Sequence, residues 1–307
     1  MSLPAAGQGM LRLRLPATSA NLGPGFDAAA IALDFALTIE ATPADVFSID
    51  ATGRDTARCG QLEDNLILVL YRRLLEQNVR PVVPLAIRMH NEIPLGMGCG
   101  SSAAGRLAAI LLANHFGRLN WSSDRILEEV TLFEGHPDNA AACWLGGFVT
   151  AACVGRTVHV ARVEPPADWR AIVVFPPAPL ATSKARAILP VSYSRADAVA
   201  NVQSAALLGL AFAQERADLL AIAMRDRIHQ PYREAICPML PRLLPLSGTG
   251  PILGVALSGA GPSVLAFVAS ESDVSAASAT ILGALDGLPV PELRVSRLVA
   301  HGARGRS

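Results

Sequence analysis

Ile93-Pro94-Leu95-Gly96-Met97-Gly98-Cys99-Gly100-Ser101-Ser102-Ala103-Ala104 sets three alternating glycines and two serines directly before an Ala/Leu/Ile-rich run that reaches Phe116. The pattern is a loop feeding a helix N-terminus. Glycines at 96, 98 and 100 permit positive φ and a close backbone approach to a ligand. The first free N–H groups and the positive end of the helix dipole favour an anion there. A Walker loop would need Gly-Lys-Ser/Thr after four intervening residues, but Lys184 is the sole lysine of the chain. A dinucleotide fingerprint or a protein-kinase loop would need glycine where Ser101 stands. What remains is Gly-x-Gly-x-Gly-Ser-Ser, either a phosphate cradle or a serine-capped turn without a ligand.

Two further segments bear on that choice. Pro16-Ala-Thr-Ser-Ala-Asn21-Leu-Gly-Pro-Gly-Phe-Asp27 reads as a polar, turn-rich loop after an alternating strand, Leu11-Arg-Leu-Arg-Leu15. Glu134-Gly-His136-Pro-Asp138-Asn139 interrupts two apolar stretches. Together with the glycine loop these motifs resemble the GHMP kinase superfamily, and the first and middle ones resemble its homoserine kinases in particular. The similarity continues through Ala181-Thr182-Ser183-Lys184-Ala185-Arg186, Arg227-Ile-His-Gln-Pro231-Tyr232-Arg233 and Leu257-Ser258-Gly-Ala-Gly261-Pro-Ser263, in the order the family has them. Homoserine kinases usually carry Arg or another long residue at the position of Met97 and Leu at that of Cys99. Both departures lie between glycines whose backbone would do the binding.

The resemblance implies an α+β GHMP kinase fold. A ribosomal protein S5 domain 2-like N-terminal domain is expected over 11–165, a ferredoxin-like C-terminal domain over 166–307, and the active site in the cleft between them. Residues 1–10, rich in Gly and Ala, are expected to be a disordered tail. The implied activity is ATP-dependent, Mg²⁺-assisted phosphorylation of the side-chain hydroxyl of L-homoserine to O-phospho-L-homoserine in threonine biosynthesis, a transfer to an alcohol acceptor. Two alternatives stay open: another small acceptor, mevalonate-like or a sugar, within the superfamily, or a non-catalytic GHMP-fold interaction module.

By the same resemblance, the whole segment from Pro94 to Ala104 would hold the ATP phosphates, and Asn65 would lie against the adenine. Ser102 and Glu134 would hold Mg²⁺, which prefers few protein oxygens. Arg186 and Arg233 would grip the acceptor's carboxylate, Asp27 its ammonium, and Asn21 with His136 would flank its hydroxyl. Each assignment has a plainer alternative. Asn65 or Asp64 can cap the following helix, Glu134 can be a solvated acid ending one, and the arginines can form surface ion pairs. His136 can cap the helix that follows, and Asp138 and Asn139 fit an N-cap. No side chain stands out as a strong general base, and the resemblance to homoserine kinases implies that the hydroxyl proton is left to the phosphate or solvent, with Asp27 the one motif carboxylate that could take it instead.

Composition agrees with a small-molecule enzyme. The 307 residues are 51% hydrophobic, enough for two domains with substantial cores. With 26 basic and 26 acidic residues the net charge is zero, which argues against nucleic acid or an anionic membrane as the main partner. A homodimer is compatible with this reading. The most membrane-like stretch, 140–155, is shorter than a span and reads as buried core. The five cysteines form no Cys-x-x-Cys pair, and no secretory signal opens the chain, which together imply a reducing cytoplasm. With arginine supplying all but one of the basic residues, any clamp on carboxylate or phosphate must be guanidinium.

Overall fold

The leucine/arginine alternation near the N-terminus forms a strand, β1 (Leu11–Asn21), with Leu11, Leu13 and Leu15 buried and Arg12 and Arg14 exposed. This computed structural model describes residues 9–180 and 182–303, so most of the tail expected over 1–10 lies outside the described residues. β1 is longer than its alternation suggests. Pro16–Asn21, which the polar composition marks as loop, continues the strand and is buried throughout; only residues 22–24 turn before β2 (Gly25–Pro43) returns antiparallel. A strand covered on both faces carries no alternation, and its polar groups find partners inside the protein. Thr18 does so twice, donating from its N–H to the Cys99 carbonyl and from its hydroxyl to Asn139 Oδ1 at 2.6 Å.

β2 is the spine of the first sheet. Its C-terminal half pairs with β1 and with β4 (Leu85–Asn91), and its N-terminal half pairs with β1 and with β5 (Phe148–Val154). At one edge β3 (Ser48–Gly53) runs parallel to β4, and at the other β6 (Thr157–Val163) forms a hairpin with β5. Between these strands lie α1 (Thr56–Cys59), α2 (Leu66–Gln77), α3 (Ser101–Phe116), α4 (Ser123–Glu134) and α5 (Asp138–Leu145). α3 and α5 pack on β1 and β2, while α2 and α4 pack on α3. α3 is buried almost all round, which is why its sequence is apolar all round rather than striped.

The second sheet holds β7 (Arg170–Phe175), β8 (Ile252–Leu257), β9 (Val264–Val268) and β10 (Glu292–Arg297), all antiparallel, in the order β10-β7-β9-β8. That is the ferredoxin-like order. Its helices are α6 (Thr182–Ala187), α7 (Arg195–Ala213), the short α8 (Leu220–Ala223), α9 (Gln230–Arg233) and α10 (Leu240–Leu243), and then α11 (Val274–Ala284) between β9 and β10. After β10 the chain returns to the first sheet, where Leu298 bridges Leu33 and the Val299 N–H donates to the Ala32 carbonyl.

Aromatic packing ties the two sheets together. Phe212 of α7 stacks on Phe148 of β5 with centroids 4.3 Å apart and meets Trp169 and Phe267 of the second half at 5.5 and 5.6 Å. Phe212→Ala should therefore lower the unfolding free energy by about 3–5 kcal/mol, the range for truncating a buried aromatic ring. Equilibrium chemical denaturation checks this, and a loss below about 1 kcal/mol would show that the sheets are held together elsewhere.

Candidate active site

The glycine loop has the conformation its composition requires. Gly96, Gly98 and Gly100 have φ of 70°, 74° and 71°, in the left-handed region. Close packing adds a second constraint at two of them. A Cβ on Gly98 would lie 2.2 Å from the Ser258 carbonyl oxygen, and one on Gly100 would lie 2.0 Å from Thr18 Oγ1. Gly100 precedes α3 without a side-chain cap, so the first N–H groups of a four-turn helix remain available to a ligand.

Within the loop, the Leu95 N–H is held by Asp55 Oδ2 at 3.0 Å, and the Cys99 carbonyl accepts from Thr18. Cys99 itself is buried, and burial pushes its thiol up to about 12, which leaves it inert. Met97 is half-buried against the core, and Ala104 is fully buried with its N–H on the Gly100 carbonyl.

Two cavities meet at this loop and share Gly96, Ser101 and Ser102 in their walls. The larger, about 720 Å³, is bounded by Asn65, Leu66, Ile67, Asn91, Leu95 and Gly105 among others. Asn65 caps α2 by accepting from the Ile67 and Leu68 N–H groups, and its amide donates to the Cys59 carbonyl. The smaller cavity, about 80 Å³, brings together Asn21, Asp27, Glu134, His136, Arg186 and Arg233, residues drawn from both halves of the chain. Ala103 also lines it, as do Phe26 and Gly259.

All but one of the charged side chains of the small cavity are arranged in pairs or clusters of opposite charge. Arg186 grips Asp27 with two hydrogen bonds, 2.6 and 2.9 Å long. The Ser102 hydroxyl donates to Glu134 Oε1 at 2.8 Å, and the Arg106 guanidinium binds both groups. His136 Nδ1 lies 2.5 Å from Asp138 Oδ1, and its Nε2 lies 3.9 Å from Glu134 Oε2. Burial alone would push the His136 pKa down. The hydrogen bond and charge of Asp138, with Asp27 and Glu134, outweigh it and hold the value above 6.5.

Asp138 and Asn139 do not act as an N-cap. Asp138 is the first residue of α5 and holds His136, while Asn139 anchors Thr18. Asn21 donates to the Gly259 carbonyl at 2.8 Å and accepts from the Asp27 N–H, so it sets the hairpin turn while lining the cavity.

Arg233 lies fully inside, 1% exposed, and makes no ion pair among the described residues. Phe26 lies 5.5 Å from both the Arg186 and the Arg233 guanidinium carbons. Sequence reading did not single out Phe26 or Arg106, although the spacing of Arg106 four residues after Ser102 on one helix was a usable signal.

The chain matches the family described as GHMP kinases N terminal domain over residues 65–147 and the one described as GHMP kinases C terminal over residues 210–284. A homoserine kinase of Solibacter usitatus is 44% identical over 264 residues, covering 86% of each chain. One from Deinococcus radiodurans is 39% identical over 255 residues, covering 83% of each. Among solved structures, the homoserine kinase of Cytophaga hutchinsonii superimposes with a TM-score of 0.82 at 25% identity, covering 97% of this chain and 98% of that one.

The raised pKa of His136 has a consequence for stability. A group whose folded pKa lies above its unfolded value contributes stability that is complete below the unfolded pKa and is lost as pH rises through the folded one. Denaturation midpoints of the native chain should therefore fall as pH rises above 6.5 by an amount that His136→Gln removes. Identical slopes in both proteins would show that His136 is not held as the imidazolium.

Proposed function

The chain belongs to the homoserine kinase family of the GHMP kinases, and on that premise we propose that it transfers the γ-phosphoryl group of ATP to the side-chain hydroxyl of L-homoserine, giving O-phospho-L-homoserine for threonine synthesis. One observation supports this above the others. Two cavities, one of nucleotide size and one small and lined by both signs of charge, meet at an uncapped helix N-terminus. Residues 11–165 are proposed as the nucleotide-binding domain and 166–307 as the C-terminal domain. The free state of all five cysteines is in keeping with a cytoplasmic enzyme.

In this reading the phosphates lie against the backbone N–H groups of Gly96 to Ala104 at the positive end of α3, and the adenine occupies the larger cavity near Asn65. The donor set for Mg²⁺ fits. Ser102 and Glu134 present two adjacent oxygens, and the Arg106 guanidinium already binds both, so the position accepts a cation. When bound there, Mg²⁺ would neutralise phosphate charge. Phosphoryl transfer otherwise asks the protein for alignment rather than covalent help.

The acceptor is a zwitterion with a hydroxyl, and each of its groups has a partner in the small cavity. Arg186 and Arg233 take the carboxylate, Asp27 the ammonium, and Asn21 with His136 flank the hydroxyl. Because Asp27 and Arg186 already satisfy each other, binding replaces one ion pair by two, and the substrate recovers what its entry disrupts. Asp27 is committed to that exchange and is not the general base. The hydroxyl proton is left to the phosphoryl group or solvent.

ADP release measured with homoserine, serine, threonine, mevalonate and galactose tests the acceptor, with homoserine expected to be preferred by a wide margin. Preference for mevalonate or galactose would move the chain to another branch of the superfamily. Glu134→Gln keeps the shape and removes the charge. Its kcat should fall about 10²- to 10³-fold, the cost typical of losing one electrostatic stabiliser, while ATP binding without metal measured by calorimetry changes little. Wild-type turnover at limiting Mg²⁺ would exclude Glu134 from the metal site. Asp27→Asn should raise the KM for homoserine about tenfold or more, since a charged hydrogen bond contributes about 1.5–3 kcal/mol. 4-Hydroxybutyrate, which lacks the ammonium, should be a poor substrate of the native chain and lose little further in this variant; equal use of it and homoserine would mean that the enzyme does not read an amino acid.

A further inference from the structure

Arg233 is a buried guanidinium without a carboxylate partner among the described residues. It donates from Nε to the Ala185 carbonyl at 3.1 Å and from one terminal nitrogen to the Gly259 carbonyl at 3.3 Å and to His229 Nδ1 at 3.0 Å. The other terminal nitrogen has no hydrogen bond within the described residues, and the side chain lines the small cavity. Its charge is therefore oriented by neutral groups alone.

His229 is the one side chain among these partners, and its chemistry is fully determined by its neighbours. It is 0% exposed, and its Nε2 lies 2.8 Å from the Gly23 carbonyl. A carbonyl only accepts and a guanidinium only donates, so the ring must carry its proton on Nε2 and a lone pair on Nδ1. Burial agrees, pushing the imidazole pKa down and keeping the ring neutral against the Asp226 carboxylate, whose Oδ2 lies 3.7 Å from Nε2. Asp226 fixes the backbone that presents it by accepting the N–H groups of Ile228, His229 and Gln230. Phe26 packs on the ring with centroids 5.3 Å apart.

Gly23 belongs to the turn between Asn21 and Asp27, so His229 joins the turn on the ammonium side of the cavity to the guanidinium on its carboxylate side. Its neutrality matters. A carboxylate at this position would orient Arg233 equally well but would neutralise it, and so compete with the carboxylate of the acceptor. We propose that His229 is a positioning residue for acceptor binding, whose Nδ1 lone pair sets the Arg233 guanidinium plane without neutralising its charge, and whose Nε2–H locks that setting to the Gly23 turn. The role rests on the reading of Arg233 as a carboxylate clamp.

Steady-state kinetics on the full chain separate the two claims. Asparagine places an acceptor oxygen near the position of Nδ1, whereas glutamine places its amide near Nε2 and offers Arg233 nothing. His229→Ala and His229→Gln should raise the KM for homoserine about tenfold, with the KM for ATP and kcat close to native. His229→Asn should restore most of the loss. In an Arg233→Ala background, His229→Ala should add nothing, because its effect passes through the missing guanidinium. Additive losses in that double variant, or rescue by glutamine as good as by asparagine, would overturn the positioning role. Should the alanine variant fail to fold, the contrast between asparagine and glutamine decides alone. An unchanged homoserine KM in Arg233→Ala by itself would instead remove the carboxylate clamp, and the role of His229 with it.

Discussion

Backbone meets backbone where the glycine loop passes the Ser258–Gly261 turn, and that contact sets the geometry of both cavities. Gly98 has φ 74° and leaves no room for a Cβ, which would lie 2.2 Å from the Ser258 carbonyl. The Ser258 hydroxyl lies 2.8 Å from both the Gly98 carbonyl and the Ser19 hydroxyl, and the Gly259 N–H donates to the Ala20 carbonyl at 3.0 Å. A turn of the second sheet thereby fixes the end of β1, the glycine loop and the start of α3 at once. Any side chain at residue 98 would disturb this seam as well as a ligand, so glycine there serves the fold as much as the site.

Cations stand at both places where the proposed reaction needs one. Arg106 lies on Glu134 and Ser102, and Arg186 lies on Asp27. Each guanidinium pairs with a carboxylate and orients it in a partly buried setting, where an unpaired charge would be costly. Arg233 is treated differently, held by two carbonyls and a neutral imidazole. Positive charge is thus left uncompensated on the carboxylate side of the small cavity and balanced on the ammonium side, an asymmetry that matches a zwitterion in one orientation.

The glycine loop, the helix it feeds, the cap of α2 and the start of β1 were legible in the amino-acid sequence, because each rests on local rules: positive φ at alternating glycines, Asn65 as an N-cap, and the leucine/arginine alternation of Leu11 to Leu15. Pro16–Asn21 was not. Its polarity mimics a loop, and only the partners supplied by Cys99, Asn139 and Gly259 reveal it as a strand buried on both faces. The motif residues were likewise visible one by one, but nothing in their spacing paired Arg186 with Asp27, which lie 159 positions apart.

The sequence by itself therefore determined the family, the α+β class and which residues carry charge or flexibility, since these follow from residue chemistry and nearest-neighbour geometry. Folding decided who faces whom: that Asp138 holds His136 as well as the Asn139 N–H at the start of α5, that Arg106 reaches Glu134, that Arg233 is fully buried, and that a neutral His229 connects it to the hairpin turn. Those pairings depend on two sheets closing over one seam. Contacts between residues so distant in the chain acquire their energies only when packing removes the water that would otherwise satisfy each group separately.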